Sequence, residues 1–139
     1  MVLAAMSFEI AQTMLTDRIA ELQWGEDPTV GFTYFDSCLG LLGREGNDVI
    51  GVHLVMVADR VFDDEAAALA ASVVISCNEV AVIGNVQLWR DNVPGPFATM
   101  TRLLGGACRL MTDRGRGNYG GRINGGRIQY SFNGVWYNH

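Results

Sequence analysis

The sequence predicts one α+β domain over residues 1–139, with a mixed, mostly antiparallel two-layer β core flanked by helices. Apolar residues make up 49% of the chain and charged residues 18%, a balance that supports a packed core and excludes a disordered chain. Short β-branched and aromatic segments outnumber helical ones. No repeat or linker divides the chain, so its length fits a single domain.

The N-terminal part begins with a helical pattern. Over residues 3–22, apolar side chains recur at steps of three and four, which predicts an amphipathic helix that ends near Gly25 and Pro28. Residues 29–35 and 39–42 are predicted strands, and the polar segment 43–48 is predicted to turn the chain back into the next strand.

Residues 49–58 form the clearest predicted strand. Alternate positions divide into two faces that are apolar except for His53, so we expect the strand to be buried on both sides. One face carries Ile50, Val52, Leu54 and Met56, and the other carries Val49, Gly51, His53, Val55 and Val57.

The second half of the chain mixes helices and strands. Three acidic residues at 63–65 begin a predicted alanine-rich helix that extends to about residue 74. A buried strand is predicted over 79–89, a short helix over 97–104 and a strand over 107–111. The chain is predicted to end in a β-meander over 122–124, 127–132 and 135–137, with type I′ turns at Asn124-Gly125 and Asn133-Gly134.

Composition excludes several classes of protein. No apolar run reaches the roughly 18 residues that a membrane span needs, and residues 1–10 lack the basic start of a secretory signal. The three cysteines are too few and too scattered for a disulfide framework. We therefore expect a cytoplasmic protein, or an effector delivered to a host cytosol without a cleavable signal, and no membrane partner.

The basic residues are unusual in type and in position. The chain has no lysine, and its ten basic residues are all arginines, against fifteen acidic ones. A GC-rich genome explains the absence of lysine, and so does a protein that works in a eukaryotic host, where ubiquitination requires a lysine amine. Residues 1–101 have a net charge of −10 and residues 102–139 of +5, so an acidic body precedes an arginine-bearing end.

Few residues in the sequence can support chemistry. There is no phosphate-binding glycine loop and no paired metal-ligand motif, so we expect no cofactor and no metal. His53 is the one internal histidine, and within its apolar strand it is either a core residue bonded to a carbonyl or a general acid–base group. Cys77 and Cys108 lie in apolar contexts and are predicted core thiols.

Cys38 is the candidate nucleophile. It lies at the junction of two apolar segments and precedes Gly40, where backbone N–H groups are accessible for an oxyanion. The turn that follows returns the chain as an antiparallel strand that carries His53. This arrangement allows the thiol and the imidazole to meet at one rim of the sheet.

The pattern around these two residues resembles the Cys–His glutamine deamidase superfamily. Ser37-Cys38 after an apolar strand, followed by Gly51-Val52-His53-Leu54 in the next strand, is similar to the motifs of the CheD-like chemoreceptor deamidases, the catalytic domain of cytotoxic necrotizing factor and the Burkholderia lethal factor. The resemblance covers mainly residues 33–58, and it implies a two-layer β core and hydrolysis of a protein glutamine side chain to glutamate.

The resemblance also implies a third catalytic residue. The CheD-like deamidases and the lethal factor place a threonine six residues before the cysteine to orient the histidine; here Phe32 has that position and Thr33 follows it. Strand alternation places Thr33 on the face opposite Cys38 unless a bulge intervenes. Asp36 is an alternative that orients His53, or else a solvated turn residue. The expected reaction proceeds through a Cys38 thioester, with His53 as acid and base.

The C-terminal arginines allow other interpretations. Arg122 and Arg127 are candidates for binding an acidic protein substrate beside the site, or they lie on a solvated sheet face. The Gly/Arg-rich segment 114–127 is similar to an RNA-binding RGG segment, although the acidic chain disfavours nucleic acid. A further alternative is a non-enzymatic acidic immunity or adaptor protein, in which Cys38 and His53 are ordinary core residues.

Overall fold

The protein has an α+β fold, as the sequence predicts. The computed structural model describes residues 9–58 and 60–138, and this part of the chain contains three helices and ten strands in two sheets. In chain order the elements are β1 (Ala11–Gln12), β2 (Gln23–Asp27), β3 (Thr29–Gly31), β4 (Leu39–Glu45), β5 (Asp48–Leu54), α1 (Asp64–Val73), β6 (Val80–Gly84), α2 (Val86–Asn92), α3 (Pro94–Leu104), β7 (Cys108–Met111), β8 (Tyr119–Asn124), β9 (Arg127–Phe132) and β10 (Val135–Asn138).

The two sheets have different topologies. The larger has the order β1-β2-β5-β4-β6-β7, in which only the outer pairs β1–β2 and β6–β7 are parallel. The smaller has the order β10-β9-β8-β3 and is antiparallel throughout. Because β4 and β5 are central in the larger sheet, the residues at their ends lie close to the core.

The alternation in β5 confirms the two predicted apolar faces. Ile50, Val52 and Leu54 pack in one buried cluster with the helices, while Val49 belongs to a second cluster shared with the smaller sheet. The molecule is therefore layered: helices, the six-stranded sheet and then the four-stranded sheet. The cluster between the sheets includes Val30, Phe32, Phe35, Leu42, Ile83, Tyr119, Ile128 and Tyr130.

Helices α1 and α3 follow from local sequence signals. Asp63 is the N-cap of α1 and its side chain accepts a hydrogen bond of 2.9 Å from the Ala66 backbone N–H. Small alanines on the buried side of α1 allow its close approach to α3. Pro94 begins α3 and Gly105, with φ of +60°, ends it, as is typical of helix boundaries.

Several local predictions need correction. The strand predicted over 79–89 ends at Gly84, where a φ of +107° turns the chain, and α2 begins at Val86. The first hairpin turn of the meander is Gly125-Gly126, both with positive φ, one residue later than predicted. The second turn, Asn133-Gly134, is confirmed.

The predicted N-terminal helix differs most from the structure. Residues 3–8 of this prediction lie outside the described residues, and residues 9–22 contain no helix. The Ile19 N–H donates to the Gly31 carbonyl at 2.8 Å, and the Ile19 carbonyl accepts from the Thr33 N–H at 3.1 Å. These bonds to distant residues, with complete burial of the Ile19 side chain, replace the local bonds of a helix.

Within residues 9–58 and 60–138, no helix combines the length and the apolar character needed to cross a membrane.

A buried carboxylate joins the two sheets at the end of β4. Glu79 is 5% exposed, and its carboxylate lies 3.4 Å from Arg44 Nε in β4 and 3.5 Å from Arg127 Nε in β9. A buried charge is tolerated when it is paired in this way, and removing one partner leaves the others uncompensated.

We expect Glu79→Gln to lower the free energy of unfolding by about 1–3 kcal/mol, because it removes the charge that both arginines face. Urea unfolding followed by circular dichroism measures the change. Glu65→Gln is the matched control, since Glu65 pairs with Arg60 at the surface and its loss should cost less than about 0.5 kcal/mol. Equal effects of the two variants would contradict a structural role for the buried charge.

Candidate active site

Helix α2 positions the backbone of Ser37 and Cys38 immediately before β4. The Trp89 Nε1–H donates to the Ser37 carbonyl at 2.8 Å. The Cys38 carbonyl accepts from the Asn85 side chain at 3.0 Å and from the Asn85 backbone N–H at 3.1 Å. With both carbonyls bonded, the Cys38 side chain has a defined direction, and it is 2% exposed.

Gly84 makes this arrangement sterically possible. A Cβ at this position would lie 2.7 Å from the Cys38 carbonyl oxygen, and the φ of +107° also favours glycine. The end of β6 can therefore approach the Cys38 backbone only because residue 84 has no side chain.

His53 lies on the inner face of β5, between the two sheets. It is opposite Gly40 of β4, as expected from the turn that joins these strands. Its ring is fully buried, 4.6 Å from the Phe35 ring and 5.6 Å from the Phe32 ring between centroids. Gly40 provides the room for Phe35, since a Cβ there would lie 2.9 Å from Phe35 Cζ.

The hydrogen bonds of His53 determine which ring nitrogen is protonated. Nδ1 lies 2.8 Å from the Ile19 carbonyl oxygen. A carbonyl only accepts, so Nδ1 carries the proton in neutral His53 and Nε2 has the free lone pair. Nε2 is buried and has no hydrogen-bond partner among the described residues. Thr33 Oγ1 also lies 3.4 Å from Nδ1, a longer contact on the same side of the ring.

Glu21 brings a carboxylate to the same place. The Cys38 thiol donates to Glu21 Oε2 at 3.5 Å. One donor or acceptor atom from each of Glu21, Cys38 and His53 lies within 4.8 Å of the other two. The adjacent Leu22 has a φ of +59°, uncommon for a branched residue, and its N–H donates to the His53 carbonyl at 2.8 Å. This turn places Glu21 beside the thiol.

The pKa of Cys38 is raised and the pKa of His53 is lowered, and both shifts favour the neutral form of the side chain. Burial, and next the Glu21 carboxylate, raise the pKa of the Cys38 thiol to about 12, against a smaller lowering by the backbone N–H groups of Asp36 and Ser37. Burial lowers the pKa of His53, opposed by its bond to the Ile19 carbonyl and by Glu21. The resting site therefore holds a thiol and a neutral imidazole at pH 7.

A groove of about 270 Å³ lies beside this site and shares Glu21 with it. Its lining consists of Glu21, Ser37, Val55, Met56, Val57, Leu88 and Asn92. Val57 is 63% exposed and Leu88 40% exposed, so apolar walls remain open to solvent. A side chain in this groove would contact Glu21, the carboxylate that accepts the Cys38 thiol proton.

The structure separates the predicted site residues into two groups. Cys38, His53 and Thr33 are together, whereas Asp36 is exposed and pairs with Arg116 at 3.3 Å. Asp36 therefore does not orient His53, because the Ile19 carbonyl and Thr33 occupy that side of the ring.

The two predicted docking arginines are already bound within the protein. Arg122 stacks on the Trp136 ring at 4.0 Å and donates to Gln129 at 2.8 Å. Arg127 faces the buried Glu79 together with Arg44. Arg44 lies six residues from Cys38, a separation of about 20 Å along a strand. These contacts place Arg127 at the opposite end of β4 from the thiol.

The Gly/Arg-rich segment is folded. Its glycines form the hairpin turn and the close strand pairing of β8, and Arg114 lies 3.9 Å above the Tyr137 ring. Arg116 pairs with Asp36 at the surface, so an acidic side chain lies beside this arginine.

Sequence reasoning missed three groups of the site. Glu21 and the Ile19 carbonyl lie in the segment predicted as a helix, and Asn85 lies in the segment predicted as a strand. No local pattern marks them, because each reaches the site only through tertiary contacts.

The environments of Cys77 and Cys108 can be compared with that of Cys38. Cys77 is buried and donates to Glu45 Oε2 at 3.9 Å, and burial with Glu45 raises its pKa to about 11. Cys108 is half-buried, and burial raises its pKa.

Within the described part of the chain, the group of Glu21, Cys38 and His53 alone combines a cysteine with a histidine and a carboxylate. Thiolate, imidazole and carboxylate are also donor types that zinc takes, and three of them would leave one tetrahedral position open.

We expect Glu21→Gln to increase the rate of Cys38 alkylation by iodoacetamide at pH 8 by at least about threefold, because removing the adjacent charge favours the thiolate. Peptide mapping after timed labelling measures each cysteine separately. Glu45→Gln is the matched control and should accelerate Cys77 without changing Cys38. An unchanged Cys38 rate in Glu21→Gln would exclude electrostatic control by Glu21.

We expect the free energy of unfolding to fall between pH 7 and pH 5 through His53, by at most about 2 kcal/mol, the limit that the unfolded pKa sets. The pKa of His53 is lowered in the folded protein, so the unfolded chain takes up a proton more readily. The stability that neutral, buried His53 contributes is complete above the unfolded pKa of about 6.5 and is lost as the pH falls below it. Urea unfolding at several pH values measures how the free energy of unfolding depends on pH. His53→Asn, whose side chain does not titrate in this range, should weaken that dependence; an unaltered dependence would contradict the role of His53.

Comparison of the chain with models of known protein families, with curated proteins and with solved structures found no match.

Proposed function

We propose that the protein is a cysteine-dependent amidohydrolase that deamidates a glutamine side chain of a protein substrate through Cys38 and His53. One observation carries the proposal: a buried, neutral imidazole with a free Nε2 lone pair has a ring nitrogen within 4.8 Å of the buried Cys38 thiol, and Glu21, which bonds to that thiol, lines an open groove. A buried imidazole nitrogen without a partner costs stability, and such costs concentrate at functional sites.

The first step forms the thioester. The Cys38 sulfur attacks the carboxamide carbon while the thiol proton moves to His53 Nε2. The tetrahedral oxyanion is stabilised by backbone N–H groups, and we assign this role to the N–H of Cys38 and of a neighbour. The C–N bond then breaks, and the proton on Nε2 leaves with ammonia.

The second step restores the protein. Neutral His53 removes a proton from water, the hydroxide attacks the thioester carbonyl, and the C–S bond breaks. The sulfur recovers its proton from His53, and the product is a glutamate side chain. The Ile19 carbonyl supports both steps, because its bond to Nδ1 keeps Nε2 available for the proton.

Activation requires a change at Glu21. Since this carboxylate accepts the thiol proton in the resting state, attack is favoured when a substrate entering the groove replaces that contact. The buried thiol is therefore held unreactive until the groove is filled, which protects it from oxidation.

We expect the protein to convert specific glutamines to glutamate, with a mass gain of about one dalton, in a mixture of bacterial and eukaryotic proteins and in glutamine peptides. Cys38→Ser should reduce conversion at least about 10³-fold because the nucleophile is lost, and His53→Asn by about 10²–10⁴-fold because the base is lost. High-resolution mass spectrometry with fragmentation locates the converted residue.

Cys77→Ser is the matched control, since this buried cysteine also faces a carboxylate but no histidine, and it should retain full conversion. Conversion should also persist in a chelator, because no step uses a metal. Conversion that survives Cys38→Ser, or a wild-type protein that converts nothing, would contradict the proposal; the second result would favour the non-enzymatic adaptor.

A further inference from the structure

The position of Glu21 is poorly suited to a neutral substrate alone. Its carboxylate accepts the Cys38 thiol proton at 3.5 Å, and it lies in the groove through which a substrate must enter. A carboxamide can replace the contact between Glu21 and the thiol, but it brings no charge to offset the carboxylate, whose negative charge still disfavours the thiolate. A cationic substrate would pair with Glu21 and would place a positive charge beside the sulfur.

The groove matches a side chain with an apolar stem and a cationic head. Its lining includes the aliphatic side chains of Val55, Val57 and Leu88, and also Glu21, which lies beside the thiol. Among the described residues that line the groove, none is cationic. The surrounding body is acidic, with a net charge of −10 over residues 1–101, which attracts positively charged partners.

Of the two cationic protein side chains, only arginine has an electrophilic carbon. The planar guanidinium can donate two parallel hydrogen bonds to a carboxylate, and its carbon is bonded to nitrogen leaving groups. A lysine ammonium would bind Glu21 but could not be attacked by sulfur. We therefore propose that the same site accepts an arginine side chain of a peptide or protein and converts it to citrulline, an inference that rests on the proposed Cys38–His53 chemistry.

The reaction balances with water as the only co-reactant. The Cys38 sulfur bonds to the guanidinium carbon as its proton moves to His53 Nε2, and a C–N bond breaks when ammonia leaves with that proton. The resulting thiouronium on Cys38 is attacked by water, which loses a proton to His53. The C–S bond then breaks, the thiol is restored and a ureido group remains. Arginine and water thus yield citrulline and ammonium, with no oxidation or reduction.

Glu21 has opposite effects in the two reactions. It holds the guanidinium in place and compensates its charge, so the arginine reaction depends on the carboxylate. For the glutamine reaction the same carboxylate is a hindrance, because it holds the thiol proton. A residue with a merely structural role would affect both reactions in the same direction.

The test compares three synthetic peptides that differ at one position, which is arginine, glutamine or lysine. We expect the wild-type protein to release ammonia from the arginine peptide and to increase its mass by about one dalton, with fragmentation placing the change at arginine. The lysine peptide should be unchanged. Glu21→Gln should reduce arginine conversion at least about tenfold and should increase glutamine conversion. Glu45→Gln, a carboxylate beside Cys77, should alter neither rate.

The outcomes separate this inference from the proposed function. Conversion of the glutamine peptide alone would overturn the inference and leave the deamidase standing. Conversion of the arginine peptide alone would support the inference and refute glutamine as the substrate. Equal losses of both activities in Glu21→Gln would overturn the role of the carboxylate, and conversion of neither peptide would overturn both proposals.

Discussion

The antiparallel pairing of β4 with β5 at the centre of the larger sheet is the constraint on which the site depends. Its register puts His53 opposite Gly40, so that the strand leading from Cys38 passes directly beside the histidine. Both strands are paired on each side, β5 with β2 and β4 with β6. A shift of one residue would place side chains where Gly40 and Gly51 leave room for Phe35 and Phe32. The proximity of thiol and imidazole is therefore stabilised by the whole sheet.

The charges of the site follow from its burial. In the interior a thiolate or an imidazolium is costly, and Cys38 and His53 are both held neutral, with the thiol directed to Glu21 and Nδ1 to the Ile19 carbonyl. In the proposed reaction this neutral pair becomes reactive when a proton moves from sulfur to Nε2. Among the described residues that line the groove, Glu21 is the one with an ionisable side chain, so a charged group that enters the groove would interact most strongly with this carboxylate.

The central strands, the capped helix α1 and the final meander were predictable because their signals are local. Alternation in β5, the Asp63 cap and the Asn133-Gly134 turn each act within a few residues. The strand predicted beyond Gly84 was wrong, because a positive φ at one glycine ends β6 and permits α2. Residues 9–22 were assigned to a helix because their apolar spacing suits one, yet Ile19 bonds to Gly31 and Thr33 instead.

By itself, the sequence determined the α+β class, the face of β5 that carries His53 and the strand junction that carries Cys38, since these depend on alternation and turn chemistry. Only the tertiary structure decided the partners of these residues. Glu21, the Ile19 carbonyl and Asn85 come from segments distant along the chain, and Arg127 is directed to Glu79 at the far end of β4. The physical reason is that burial forces polar groups to find partners in space, and the pairing that satisfies them is a property of the packed chain.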